Sequence, residues 1–185
     1  PVLRLYNFRP ATLSLGRFQP AAGVDEKAVA REGLGFVRRP TGGQAVLHDE
    51  EITYAVILAR THAHPFRKRE VYRFISRLLV SAFSELGIRS YFNDRRLGDP
   101  RDPNCFATTG EYEVVGTTGR KLVGSAQTTT REASLQHGSI PLTGVFRRVE
   151  DLLRPGSERS VLHRTPSSLS EEAGREIGLE QAAEA

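Results

Sequence analysis

One cysteine among 185 residues excludes an internal disulfide and fits a reducing compartment. The five histidines are scattered, and with a single cysteine they never reach zinc-ligand spacing, so no metal is expected. No run approaches the ~20 apolar residues that a membrane-spanning helix needs. No basic-then-apolar leader opens the chain, which leaves the cytoplasm as the expected location. Methionine is absent altogether, position 1 included. The first residues already alternate as Val2-Leu3-Arg4-Leu5-Tyr6, and the helix-like stretch from Glu171 to Ala185 has no C-cap signal. Both ends therefore read as cut, and a fragment lacking its first and last elements is expected.

What is present suits one globular domain. The chain is 38% hydrophobic, 26% charged and 8% aromatic, which excludes collagen-like and wholly disordered chains. A chain of this length buries roughly 70% of its unfolded surface, enough for a core. Charge is uneven. Between Arg60 and Arg101 ten Lys and Arg face four Asp and Glu, six positive charges in excess against a net +4 overall. Such a surface attracts an acidic partner, or it is only a solvated basic helix face. Nucleic acid is not expected, because no aromatics interleave with the charges in an RNA-binding signature.

Periodicity gives an α+β fold, with a mixed, mostly antiparallel sheet flanked by helices. Val2–Phe8, Thr12–Phe18, Leu34–Arg38, Ala45–Leu47, Ile52–Ala59 and Ile88–Phe92 read as strands. Arg67–Leu86 reads as a helix with Val71, Phe74, Ile75, Leu78, Leu79, Ala82, Phe83 and Leu86 on its buried face, and Gly87 ending it. Arg67, Lys68, Arg73 and Arg77 take the opposite face. A polar, proline-containing loop runs from Asn93 to Asn104 and ends at Cys105-Phe106. Glu111–Val115, Arg120–Thr130 and Ser134–Leu142 read as an antiparallel set with a turn at Thr117-Thr118-Gly119. Val145 to Leu153 suggests a short helix. A linker from His163 leads to Ser170, read as the N-cap of the last helix. The expected division is 1–164 as a catalytic domain and 165–185 as a truncated helical segment.

Cys105 is the first chemical candidate. A free cysteine is usually a small buried hydrophobe, but this one follows a polar loop, and a cation such as Lys121 would suit a nucleophile. Gly33-Leu34-Gly35 lacks the third glycine of a dinucleotide fingerprint. Gly116-Thr117-Thr118-Gly119-Arg120-Lys121 fails the phosphate-loop spacing and reads as a hairpin. Gly42-Gly43 lets the backbone approach a ligand, although a plain strand-turn-strand is the bland alternative.

Three segments together carry a family resemblance. They are Arg38-Arg39-Pro40-Thr41-Gly42-Gly43-Gln44-Ala45-Val46-Leu47-His48-Asp49 with Ile52-Thr53-Tyr54, then Gly119-Arg120-Lys121-Leu122-Val123-Gly124-Ser125-Ala126-Gln127, then Gln136-His137-Gly138-Ser139. In this order they resemble the lipoate–protein ligase A/B and octanoyltransferase family. Leu13-Ser14-Leu15-Gly16-Arg17-Phe18-Gln19 also fits, and the resemblance runs from about Val2 to Leu153. It implies a biotin/lipoyl-ligase-like catalytic domain, here without the family's first helix and its acidic Asp-Glu pair.

The resemblance implies one of two chemistries. Ligases adenylate free lipoate with ATP and Mg; octanoyltransferases take octanoyl from acyl carrier protein through a cysteine thioester. Cys105 stands where the LipM-type octanoyltransferases carry their nucleophile, and Gln44 replaces the third glycine usual in ligases. The resemblance thus implies acyl transfer from octanoyl–acyl carrier protein to the lysine of a lipoyl domain or glycine cleavage H protein, with no dissociable cofactor and a monomeric enzyme. It makes Cys105 and Lys121 catalytic. Lys121 either serves as an ammonium beside the thiol and acyl carbonyl, or acts desolvated on the incoming amine. Gly42, Gly43, Gly124, Ser125 and Ala126 would line an acyl tunnel, and Arg39, Gln44, Ala45, His48, His137 and Gly138 would complete the substrate site. For His48 and His137 a scaffold role is the bland reading. ATP-dependent ligation is the alternative; a non-catalytic carrier- or nucleic-acid-binding module is the third.

Overall fold

A computed structural model describes residues 1–59, 67–93, 104–107, 112–154 and 166–185. Nine strands in three sheets and four α-helices are found among them. The largest sheet has the order β1-β5-β9-β8, from Val2–Tyr6, Glu51–Ala59, Ala133–Pro141 and Gly124–Thr129, all antiparallel. The second has the order β3-β2-β4, from Gly35–Arg38, Thr12–Leu15 and Val46–His48, and its β2–β3 pair is parallel. The third pairs β6 (Ser90–Phe92) with β7 (Val114–Gly116). The architecture is thus the α+β, mostly antiparallel one expected.

The helices differ in detail from their sequence reading. α1 (Glu26–Arg31) was not anticipated; at six residues it is too short to show a period, although Asp25 caps it by accepting from the Lys27 and Ala28 N–H groups. α2 (Lys68–Glu85) matches the expected helix, and the Glu70 carboxylate accepts from the Arg67 N–H at its start. Its buried stripe is narrower than the apolar series suggested. Val71, Ile75 and Phe83 are buried, while Phe74 and Leu78 remain 55% and 53% exposed beside Arg73 and Arg77. The last helix is two helices, α3 (Leu169–Ala173) and α4 (Leu179–Glu184), separated at Gly174, whose φ is +64°. Ser168, not Ser170, is the N-cap, and accepts from the Glu171 N–H. The expected short helix is a 3-10 segment, Gly144–Leu152.

The third anticipated antiparallel set is split. β7 pairs with β6 and touches Lys121 only through a Val115–Lys121 bridge, and β8 begins at Gly124 instead of Arg120. The loop residues 94–103, including Arg95, Arg96 and Arg101, lie outside the described residues, as do Arg60 and the stretch 155–165.

Two large cores, and a smaller cluster of Val46, Phe106 and Phe146, support these sheets. Ile52, Tyr54, Val71, Ile75, Phe83 and Leu122 belong to one, which Leu169 and Ile177 of the C-terminal segment also enter. Leu13, Leu15, Val29, Leu47 and Leu152 belong to the other. The site is assembled over the sheet face that carries Thr53, Ala126, His137 and Ser139, opposite the face of Tyr54 and Ile52.

Candidate active site

The connection from β3 to β4 is tied down by its own arginines. Arg38 donates to the carbonyls of Gly16 and Gln19 at 2.6 and 2.7 Å. Arg39, buried, donates to the carbonyls of Ser14, Gly42 and Gln44. Gly43 has φ +91°, and a Cβ on Gly16 would lie 1.8 Å from the Gly43 carbonyl oxygen. The close crossing of these two backbones therefore requires glycine at both positions.

Cys105 begins a single 3-10 turn, Cys105–Ala107. Its N–H donates to the Ala45 carbonyl at 3.0 Å, and Ala45 and Asn104 form a parallel bridge. The Asn104 side chain accepts from the Phe106 N–H at 2.9 Å, which closes the turn. The thiol is half-buried and packs against Val46, Phe106 and Phe146.

Lys121 reaches this turn from 16 residues away in sequence. It is only 3% exposed, and its ammonium donates to the Cys105 carbonyl at 2.9 Å and to both Glu113 carboxylate oxygens at 3.0 and 2.9 Å. Burial pulls its pKa down, but the Glu113 carboxylate and the Cys105 sulfur push it up and prevail. Lys121 is therefore held as an ammonium. Arg39 is the second cation coupled to this sulfur: burial lowers its pKa and Cys105 counters that. Glu113 was not singled out from sequence; a carboxylate directly before Val114-Val115 in a buried strand was the available signal.

A cavity of about 20 Å³ lies beside Cys105. Arg39, His48, Gly124, Ser125, Ala126, His137 and Gly138 line it together with Cys105. A second cavity, of about 440 Å³, shares Ser125 and Ala126 and adds Gly42, Gly43, Tyr72 and Tyr112. The three motifs thus converge on one place. Gln44 and Ala45 line neither cavity among the described residues; Gln44 accepts from Arg39, and Ala45 is a core residue that holds Cys105 by its backbone.

The two histidines sit in networks. His48 bonds Ser14 through Nε2 at 2.8 Å and Glu51 through Nδ1 at 2.7 Å, and stacks on Phe8. His137 Nε2 lies 2.6 Å from the Thr41 hydroxyl, which fastens the glycine loop to β9. Burial, then the charges of Arg39 and His48, push its pKa down to about 4 from 6.5. The unfolded chain therefore binds a proton at this residue between those values that the folded chain refuses. Folding stability from His137 is complete above pH 6.5 and is lost as the pH falls toward 4. Urea titrations at pH 7 and pH 5 should differ by about 1–2 kcal/mol from this residue, allowing for its partial exposure, and His137→Gln should remove that difference.

Tyr54 completes the wall from beneath. Its hydroxyl bonds Ser125 at 2.7 Å and accepts from Gln136 at 3.1 Å, and burial pushes its pKa up to about 12, so it stays a neutral phenol.

The model of the lipoyl protein ligase A/B catalytic domain matches residues 1–185. The chain belongs to that family. An octanoyltransferase LipM of Kyrpidia tusciae is 43% identical over the whole chain, which spans 72% of that relative. The Bacillus subtilis octanoyltransferase LipM is 44% identical over 86% of the chain and 60% of its own length. Among solved structures, a lipoate-protein ligase A bound with ATP superposes with a TM-score of 0.78 at 20% identity, over 98% of this chain and 68% of the other. A bipartite archaeal lipoate protein ligase from Thermoplasma acidophilum gives 0.74 at 19% identity, over 98% of this chain and 66% of that one. At such identities these two establish the fold of the family member described here, and nothing of its substrate. Among the described residues no helix is long and apolar enough to cross a membrane.

Proposed function

We propose that this family member is a cytoplasmic octanoyltransferase that moves an octanoyl group from acyl carrier protein, through a Cys105 thioester, to the lysine of a lipoyl domain or glycine cleavage H protein. The observation that carries the reading is Cys105 at a cavity walled by all three motifs, with Arg39 in that wall and the Lys121 ammonium bonded to the Cys105 carbonyl. The similarity to octanoyltransferase LipM relatives supports it.

A thiolate is the nucleophile in such chemistry. The Cys105 sulfur attacks the octanoyl thioester, the carrier thiol leaves, and the acceptor amine then displaces Cys105 to form the amide. Of the two roles open to Lys121, its ammonium state favours stabilising negative charge on the sulfur and the acyl oxygen over taking a proton from the amine. The cavity beside Cys105 is far too small for an eight-carbon chain, so the acyl chain extends into the larger cavity past Ser125, Ala126, Gly42 and Gly43. Each methylene buried there contributes about 0.8 kcal/mol to binding.

Intact mass spectrometry after mixing with octanoyl–acyl carrier protein tests the reading. An octanoyl addition at Cys105, removed by hydroxylamine, is expected without ATP. An unchanged mass, together with lipoate transfer only when ATP and Mg are supplied, would place the chain with the ligases.

The basic side of α2 suits acidic carriers. Arg73 and Arg77 are exposed next to Phe74 and Leu78, a mixed apolar and cationic surface. Charge acts on encounter more than on affinity and is screened within about 8 Å at physiological salt. Reversing both arginines to Glu should slow transfer at low carrier concentration and flatten its salt dependence, with saturated turnover nearly unchanged. Equal salt slopes for both proteins would leave these arginines as solvating groups only.

A further inference from the structure

We propose that Glu51 forms a buried proton exit that couples the Cys105 cavity to a second cleft on the other side of His48, and that this exit serves the amide-forming step. The inference rests on the acyl-transfer reading above.

Glu51 is 3% exposed, at the start of the central strand β5. Such a charge stays buried only when donors satisfy it. Three do. The Thr53 hydroxyl donates to Oε1, the Ser139 hydroxyl to Oε2, and His48 Nδ1 lies 2.7 Å from Oε1. Thr53, Ser139 and His48 all line the small cavity that contains Cys105. Glu51 itself lines a different cavity, of about 640 Å³, between the Asn7–Ala11 connection, Asp49, Glu50 and the start of α4, and His48 lines that one too. One carboxylate therefore has hydroxyl contacts on the reacting side and an opening on the far side. Groups charged or titratable around it come from every neighbouring element: His48 on β4, Tyr6 on β1, and Arg9, Asp49, Glu50 and Glu176 in the cleft.

The chemistry needs such a path in one half-reaction only. Acylation converts Cys105 thiol and octanoyl thioester into Cys105 thioester and carrier thiol, with no net proton. Aminolysis differs. A lysine ammonium must lose two protons to become an amide nitrogen; the C–S bond to Cys105 breaks, the C–N bond forms, and the departing Cys105 sulfur takes one proton. The other must leave the Cys105 cavity. A Thr53 or Ser139 hydroxyl can accept it while passing its own to Glu51, and Glu51 then releases it to the far cleft. Lys121 is not available for this, being already protonated and bonded to Glu113. Glu51 acts through the two hydroxyls and is a positioning residue.

The test compares two acceptors on preformed octanoyl-Cys105 in single turnovers. A lipoyl-domain lysine arrives as an ammonium; hydroxylamine arrives uncharged at neutral pH and gives hydroxamate and thiol with no net proton released. Glu51→Gln should slow transfer to lysine at least tenfold at pH 7 while leaving the hydroxylamine rate within about twofold, and raising the pH should recover the lysine rate. Ser139→Ala should give the same pattern with a smaller loss, which covers a Glu51→Gln protein that does not fold. Equal losses with both acceptors, or no loss with either, overturn the relay and leave Glu51 a structural carboxylate. A wild-type protein never acylated at Cys105 overturns the transfer reading itself, and the relay with it.

Discussion

Cys105→Ser should abolish octanoyl transfer, by about 10³-fold or more, while the protein melts within a few degrees of wild type. The side chain lies half-buried against Val46, Phe106 and Phe146, and a hydroxyl replaces the thiol there with little change in volume. The turn that holds it depends on backbone bonds, from the Cys105 N–H to Ala45 and from the Phe106 N–H to Asn104, which the substitution keeps. Only the chemistry is removed. A hydroxyl is far harder to ionise than a thiol, and among the described residues no general base is bonded to it. Transfer is read as octanoylation of a lipoyl domain by mass; retention of near-normal turnover by the serine protein would remove Cys105 from the mechanism.

Lys121→Met should lose both activity and stability, and the two can be separated. The lysine ammonium, itself buried, bonds both oxygens of the buried Glu113 carboxylate. Removing it strands a buried negative charge, which costs about 3–5 kcal/mol. The pair Lys121→Met and Glu113→Gln removes both charges together, so most of that stability should return. Transfer should not return, because the cation beside Cys105 is still missing. Lys121→Arg keeps the charge but replaces a compact ammonium with a planar fork. The buried space between the Cys105 carbonyl, Glu113 and the Phe106 ring, 5.5 Å from Nζ, is filled by a compact ammonium, and a bulkier guanidinium there must displace its neighbours. It too should fold and fail to transfer. Urea midpoints and single-turnover rates on the same preparations check all three. Recovery of transfer in the double variant would reduce Lys121 to a structural counter-ion.

The site was partly legible in the sequence because its backbone pieces are local. Arg38 to Asp49, Gly119 to Gln127 and Gln136 to Ser139 are short segments whose glycines and flanking strands can be read in place, and the structure sets Arg39, His48, Gly124, Ser125, Ala126, His137 and Gly138 around Cys105 as one wall. Gln44 and Ala45, expected in the substrate site with them, line neither of its cavities among the described residues, since membership of a motif does not say which side of a strand faces a cavity. The networks were invisible for a different reason. Glu113 meets Lys121 across a turn, and Glu51 meets Ser139 over 88 residues. Apolar neighbours such as Val114-Val115 hint that a carboxylate is buried, but they do not name the partner it meets.

From the sequence alone came the α+β class, the central strand at Ile52–Ala59, the long helix before Gly87 and the family to which the motifs point, because period, turn residues and motif spacing are properties of adjacent residues. Tertiary structure alone decided which residues of that helix are covered. Phe74 and Leu78 belong to the apolar series, yet the core covers Val71, Ile75 and Phe83, with Leu79 half-buried against it, and leaves those two out. It alone decided that β7 joins β6 instead of β8, and that Lys121 is a buried cation between Glu113 and Cys105. Such outcomes depend on which surfaces and charges meet after the chain has closed on itself, and burial, which sets the worth of each contact, is a property of that closed shape and of no single segment.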